Sequence, residues 1–559
     1  MEIIKKNRII KFLLLTISLL VLIVGFFQKP ANRMKNLILD EASFAKLSQT
    51  RTPSDEDMFE QILFDDLPLI IDSQENKAYF SSSSNSDQPL QFNPLITFKS
   101  DEKLQVAFLD KELSWETIAR NETTPFIVYT ADQYQQFDLV ITTLPLVEIK
   151  LNEEPEDPDT PIPEQDVYGS ITVLDNQNTK SILNKIFESD VVCHLRGGLS
   201  RGYAQNSYRL SLKYDSLGIN ERNNQKSLLG MEWDDDWILY APYNDPEKIR
   251  NTLSTNLWWE WGAKNNKFGM SNGTQGRFVE LFIDGRYWGL YTLMKPITPS
   301  KLLMNDDGDP GKSDYYYRSI SWIDVSHELF KGEPDFVPED STRPTVGRFE
   351  LRYPKDPQPG YGKWAPLDEF TQVLEGDYKT FANEIFDLVD EQNALDLWLF
   401  ITTTMASDNN GKNLNFIAKR DGDKYTFYFS PWDLDQTWGM YWNENYPLGT
   451  AITEKFDNPF MLELIYDRLV VEGKSEEAIS KLQSRYSEVR KSFLSDSAMQ
   501  ETLNEYEADI FGSGAYLRNV ERWPETYFTP NMEKFKIFVI DRLYFMDSYI
   551  ENLAEMELN

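Results

Sequence analysis

The stretch ASDNNGKNLNFIAKRDGDKYTFYFSPWDLDQTWG, Ala406 to Gly439, reads as loop, strand, tight turn, strand and loop. LNFIAK has strand character, Asp421-Gly422 is a strong turn signal, and KYTFYFS places Tyr425, Phe427 and Phe429 on one face of the returning strand. In an antiparallel pair, the loop before the first strand and the loop after the second open at the same end. The hairpin therefore gathers Asp408, Asn413, Asp433 and Asp435 in one place. Upstream, EIFDLVDEQNALDLWLFITTTMAS, Glu384 to Ser407, has helical spacing and delivers Asp408 into its loop.

Four such side chains suit a hard divalent cation, since Mg²⁺ takes octahedral oxygen ligands from one or two carboxylates together with phosphate oxygens. Protein kinases hold their metals on an Asp that follows a strand and on an Asn five residues beyond the catalytic-loop Asp. On this reading Asp408 orients or deprotonates an acceptor hydroxyl, Asn413 and Asp433 hold metal, and Asp435 supports or joins them. The same residue types form turns, and a calcium site is the competing reading, although the spacing departs from the helix-loop-helix calcium loop.

Away from this passage, the chain of 559 residues is 41% hydrophobic and 14% aromatic, enough for one large core and smaller modules. Lys and Arg number 56 against 90 Asp and Glu, and the net charge of −34 argues against a nucleic-acid partner, which needs a basic face. An anionic ligand must then be held by a few local cations or by metal. Cys193 stands alone, so no internal disulfide forms, and His194 and His327 are too far apart in sequence to suggest a histidine-based zinc site.

Lys5, Lys6, Arg8 and Lys11 precede an uncharged run from Phe12 to Phe27, and residues 1–29 read as a signal anchor or signal peptide. With no small-x-small cleavage site after the run, the expectation is a retained anchor, basic end inside, with the remainder outside the membrane. Export without disulfides suits a bacterial cell surface. Residues 30–58 read as a polar stalk. Residues 59–151 show short alternating runs (LPLIIDS, LQVAFLD, PFIVYT, FDLVITTLPLVEIKL) that suggest a small antiparallel sandwich. Residues 152–166, NEEPEDPDTPIPEQD, hold four prolines and seven carboxylates and read as a linker.

Residues 167–559 then read as an α+β domain, strand-rich first and helix-rich later. RFVELFIDGRYWGLYTLMK gives two strands joined at Asp284-Gly285, and PEKIRNTLSTNLWWEWG a helix capped by Asp245, with Pro246 at its first position and Gly262 at its end. The segment from about 306 to 365, rich in Gly, Pro and Asp, reads as an insertion or long loop.

Taken in order, LRGGLSRGYAQNSYRLSL, SLLGMEWDDDWILYAPYNDPEKIRNTL, VELFIDGRYWGLYTL, SDNNGKNLNF and YFSPWDLDQTWG resemble the spore-coat protein H (CotH) kinase family across residues 190 to 440. The resemblance implies an atypical protein-kinase-like fold that uses ATP with Mg²⁺ or Mn²⁺ to phosphorylate Ser or Thr of secreted or surface proteins. It makes Asp408 the catalytic Asp and Asp433 the metal-binding Asp. Two positions depart from the family pattern: Gln205 and Asn206 stand where a lysine pair is usual, and Lys295 where a Glu is usual. The phosphates need a cation, for which Arg196, Arg209, Lys213 and Lys295 are the candidates. The rival reading is a catalytically weak or inactive pseudokinase scaffold, or an adhesin-like surface protein.

Overall fold

The computed structural model describes residues 32–54, 56–83, 90–100, 102–175, 185–214, 222–309, 311–322, 326–332, 343–440, 463–524 and 529–555. The apolar run expected to anchor the chain lies outside the described residues, and among these no helix is long and apolar enough to cross a membrane. The chain is mixed α+β, strand-rich in its first half and helical in its second. It divides into two units, Met1–Thr143 with Leu174–Ile186, and Leu144–Val173 with Phe187–Asn559.

The first unit sets a three-stranded sheet against a seven-stranded one over an aromatic core. Phe108, Phe126 and Phe137 stack with centroids 5.4 Å apart at each step, and Phe64 of the small sheet meets Phe80 at 5.4 Å. The sandwich is not purely antiparallel, because Gln133–Thr142 pairs in parallel with Lys77–Ser81. The expected stalk is corrected from residue 32 onward. Helix Glu41–Gln49 is capped by Asp40 and buries Phe44, while Thr52–Pro53 pairs with the edge of Gln133–Thr142.

The second unit begins earlier than residue 167. Strands β1 (Leu146–Leu151), β2 (Val167–Leu174), β3 (Ile186–Arg196), β4 (Ser207–Lys213), β5 (Asp236–Tyr240), β6 (Gly276–Ile283) and β7 (Arg286–Met294) close a barrel in the order β1-β2-β3-β4-β5-β7-β6. The residues read as a linker connect two barrel strands, since β1 pairs in parallel with β6, Leu146 opposite Glu280. Asp284 and Gly285, at φ +50° and +76°, make the tight turn between β6 and β7.

The segment expected to be an insertion contributes three strands to a sheet. Strands β8 (Tyr315–Ser319), β9 (Thr345–Val346) and β10 (Phe349–Tyr353) join the hairpin β11 (Leu414–Asp421) and β12 (Lys424–Pro431) in the order β9-β10-β8-β11-β12. Tyr315, Tyr317, Phe416, Phe427 and Phe429 turn to the helical core, so Phe427 and Phe429 share a face as the alternation predicts. The β11–β12 turn is Gly422-Asp423, with Asp421 opposite Lys424 and Gly422 at φ +63°.

Helix α1 (Arg250–Trp261) starts later than the sequence suggests. The Asp245 carboxylate is engaged by Arg250, whose backbone N–H it accepts at 2.6 Å, so Asp245 anchors the first turn from outside it. The long predicted helix is two, α2 (Tyr378–Leu388) and α3 (Glu391–Thr404), because the Asp390 carboxylate accepts the Asn393 N–H and restarts the helix. Helix α4 (Ala515–Arg522) docks on the barrel, where buried Arg518 grips Glu280 with two hydrogen bonds of 2.8 and 2.9 Å.

Candidate functional site

Helix α3 ends at Met405, whose left-handed φ of +56° turns the chain out of the helix. Its last carbonyls are not left bare. Arg542, on helix α5 (Met532–Glu551), is buried and donates to the carbonyls of Thr402 and Thr403, placing a cation where the helix dipole favours one. The chain leaving this end carries Asp408.

The two loops meet as the hairpin geometry requires. Leu414 pairs with Pro431, and the Trp432 N–H donates to the Asn413 carbonyl at 2.9 Å. Asn409, wholly buried, joins them a second time: its amide donates to the carbonyls of Asn413 at 2.9 Å and Trp432 at 2.7 Å. Asn413 and Asp433 both adopt left-handed backbone, φ +54° and +60°, which Asn and Asp tolerate better than most residues. Helix α1 supports the second loop from below, with Asn251 accepting the Leu434 N–H at 2.8 Å and Ser254 meeting Thr437 at 2.9 Å.

Asp408, Asn413, Asp433 and Asp435 all line one cleft of about 900 Å³, inside the second unit. The Asn413 amide donates to Asp408 at 3.2 Å. Burial raises the Asp408 carboxyl above its usual range and the charge of Asp433 adds to this, while Lys412 opposes it. Asp435 is pushed much further up, by burial first and then by the charges of Asp433, Asp408 and Asp245. The Tyr240 hydroxyl responds to the same field, raised by burial and by Asp435 and Asp433. Crowded carboxylates of this kind are eased by a divalent cation. Among the described residues no group of three or more carboxylate, His or Cys side chains is placed to hold a metal ion by itself. Asn415 supplies an independent sign of a polar ligand, since both polar atoms of its amide are buried at the cleft and bond to nothing in the protein.

The expected cations divide. Arg196 and Arg209 line the cleft. Arg196 feels Asp433, which opposes the burial that pulls its guanidinium down to about 10, and it lies over the Trp432 ring at 5.8 Å. Arg209 is held by Asp236 in a fork of 2.9 and 2.7 Å. Lys213 and Lys295 are not brought to the cleft: Lys213 donates to Asn223 at 2.8 Å, and Lys295 is buried against Glu232 at 3.2 Å. Gln205 is committed as well, donating to the Leu290 carbonyl at 2.9 Å and to Asn519 at 3.1 Å. Its neighbour Gly289, at φ +123°, has no room for a side chain, since a Cβ would sit 2.7 Å from the Asn519 oxygen.

Sequence reasoning missed Asn409, Asn415, Arg318, Arg343 and Arg352, of which all but Asn409 line the cleft. The run of three tyrosines, Tyr315 to Tyr317, immediately before Arg318 has the aromatic content of a strand and is the signal that would have placed Arg318 on one.

The chain is mixed α+β, and its hairpin collects an Asp, an Asn and two further carboxylates in a cleft that arginines also line. The chain matches the CotH kinase protein family over residues 193–546 and belongs to that family. Comparison with curated proteins gives no match.

Proposed function

We propose that the second unit is an atypical protein-kinase-like domain that transfers phosphate from ATP to a Ser or Thr hydroxyl of a secreted or surface protein, with Mg²⁺ or Mn²⁺. The observation that carries this reading is the convergence of Asp408, Asn413, Asp433 and Asp435 on the arginine-bearing cleft, in the order loop Asp, Asn five residues on, hairpin, loop Asp that kinases use. Family membership supports it. The exported location and the anchor at 1–29 remain part of the proposal.

In this assignment Asp433 and Asn413 hold the metal, Asp435 supports them, and Asp408 receives the proton of the acceptor hydroxyl. The raised carboxyl of Asp408 suits that task, since a base works best when its pKa approaches the working pH. The Asn413 amide fixes one Asp408 oxygen at 3.2 Å and leaves the other for the hydroxyl. Bound metal neutralises charge on the phosphates. Arg196, beside Asp433, provides the clamp that Gln205 and Lys295 do not.

Calorimetric titration of residues 30–559 with ATP and Mn²⁺ tests the reading. Saturable binding that disappears in Asp433→Ala is expected. Absence of binding by the folded protein would favour the scaffold reading.

A further inference from the structure

The sheet face that meets the cleft changes character along β11. Leu414, Phe416 and Ala418 turn to the helical core, so Asn415 and Ile417 point to the other side. Their cross-strand partners on β8 are Arg318 and Tyr316. Ile417, Tyr316, Ile297 and Tyr428 of β12 form one apolar cluster, and Ile297 and Tyr316 line the cleft together with Asn413 and Asn415. From the loop of Asn413 the cleft wall therefore runs first to a carboxamide and then to an apolar floor.

The Asn415 side chain is buried, and neither its oxygen nor its nitrogen has a hydrogen-bond partner in the protein. Arg318, its cross-strand neighbour, donates instead to the Asn413 side-chain oxygen at 3.4 Å. Buried amides are nearly always paired, because an unmet donor or acceptor has lost its water for nothing. An unpaired one on a cleft wall points to a ligand that brings both a donor and an acceptor. Phosphate and carboxylate groups only accept, so neither satisfies both atoms of a carboxamide. The edge of adenine does, where an amino group lies next to a ring nitrogen, and asparagine reads adenine in this way in nucleic acids. An adenine nucleotide also has the polarity of the wall: phosphates for the end at Asn413, and a flat ring with a hydrogen-bonding edge for the apolar floor.

We infer that Asn415 is the base-reading residue of this cleft: its amide pairs with the amino group and the adjacent ring nitrogen of adenine, while Ile297 and Tyr316 receive the ring. The inference rests on the cleft binding a nucleoside triphosphate with metal at Asn413 and Asp433, and it adds a preference for adenine over guanine. Guanine carries an oxygen in place of the amino group, so the same pose sets two acceptors against Asn415 and leaves the amide oxygen unpaired. In the free protein the unpaired amide is a cost, so an apolar side chain of similar size at this position spares the fold while removing the reader.

Calorimetric titrations of the full chain with ATP, GTP, ATP dimethylated at the base amino group, and tripolyphosphate, each with Mn²⁺, test it alongside urea melts. The parent should bind ATP at least about tenfold more tightly than GTP or the dimethylated analogue. In Asn415→Leu that preference should collapse to within about twofold, through weaker binding of ATP, while the urea midpoint holds or rises. Asn415→Ala is the second variant in case leucine does not fit, and it should show the same collapse. Equal affinity of the parent for ATP and GTP would overturn the inference, as would a preference for GTP or an ATP preference that survives both substitutions. Tripolyphosphate binding lost in step with ATP binding in both variants would also overturn it, by assigning Asn415 to the phosphate end. A parent that binds tripolyphosphate as tightly as ATP refutes the base subsite alone, whereas one that binds none of the four ligands refutes the nucleotide reading and the subsite with it.

Discussion

Asn409→Ala should damage the site out of proportion to its size. The Asn409 side chain is wholly buried, and its amide holds the carbonyls of Asn413 at 2.9 Å and Trp432 at 2.7 Å, tying the loop of Asp408 and Asn413 to the loop of Asp433. Two net hydrogen bonds are worth about 1 kcal/mol each, and a carbonyl left buried and unpaired costs about 1–3 kcal/mol more. The Asn413 carbonyl keeps the Trp432 N–H, so one orphan is counted and the total is about 3–5 kcal/mol. In urea this appears as a lower midpoint at unchanged slope. At temperatures where the variant remains folded, ATP and Mn²⁺ affinity should fall at least tenfold, because Asn413 and Asp433 lose their common tether. A variant with an unchanged midpoint and affinity within twofold of the parent would show that this amide does not hold the two loops together.

Other substitutions separate support from chemistry. Arg542→Met should uncover the last carbonyls of helix α3 and cost about 2–4 kcal/mol in a urea melt, with activity falling along with stability because Asp408 follows directly. Glu280→Gln should cost about 3 kcal/mol by leaving the buried Arg518 charge without its carboxylate, yet leave ATP affinity unchanged when measured on the folded fraction. Asp509 gives a pH test. Burial, with help from Glu505, raises its carboxyl to about 6, so its contribution to stability is complete below its ordinary value and is lost as pH rises through about 6. Asp509→Asn should therefore raise the melting midpoint at pH 8, by the equivalent of about 3 kcal/mol, and change little at pH 4. A variant that gains nothing at pH 8 would contradict the burial of that charge.

The hairpin and its four polar residues were legible because every signal needed was local: alternation within each strand, a glycine turn, and Asp or Asn at both mouths. The β8 strand was not, since its partner β11 lies about a hundred residues downstream and glycine, proline and aspartate surround it. Its polar face also disguised it, because Arg318 and Asn415 look like surface residues until the cleft is seen. Lys295 read as an available cation for a related reason: Glu232, which engages it, lies about sixty residues upstream, and nothing local to Lys295 signals the pairing. Asp245 carried a good capping signal, but Arg250 takes its carboxylate and moves the helix start. The barrel strand β1 ran on without a break from the alternating strands of the first unit, and only its pairing with β6 assigns it to the second.

The most direct measurement is transfer of labelled phosphate from ATP by purified residues 30–559, to the protein itself or to an added acceptor, in Mg²⁺ or Mn²⁺. Label appearing on Ser or Thr with the parent protein and absent with Asp433→Ala is the predicted result. Equal labelling by the variant would contradict the assignment of the metal to this cleft.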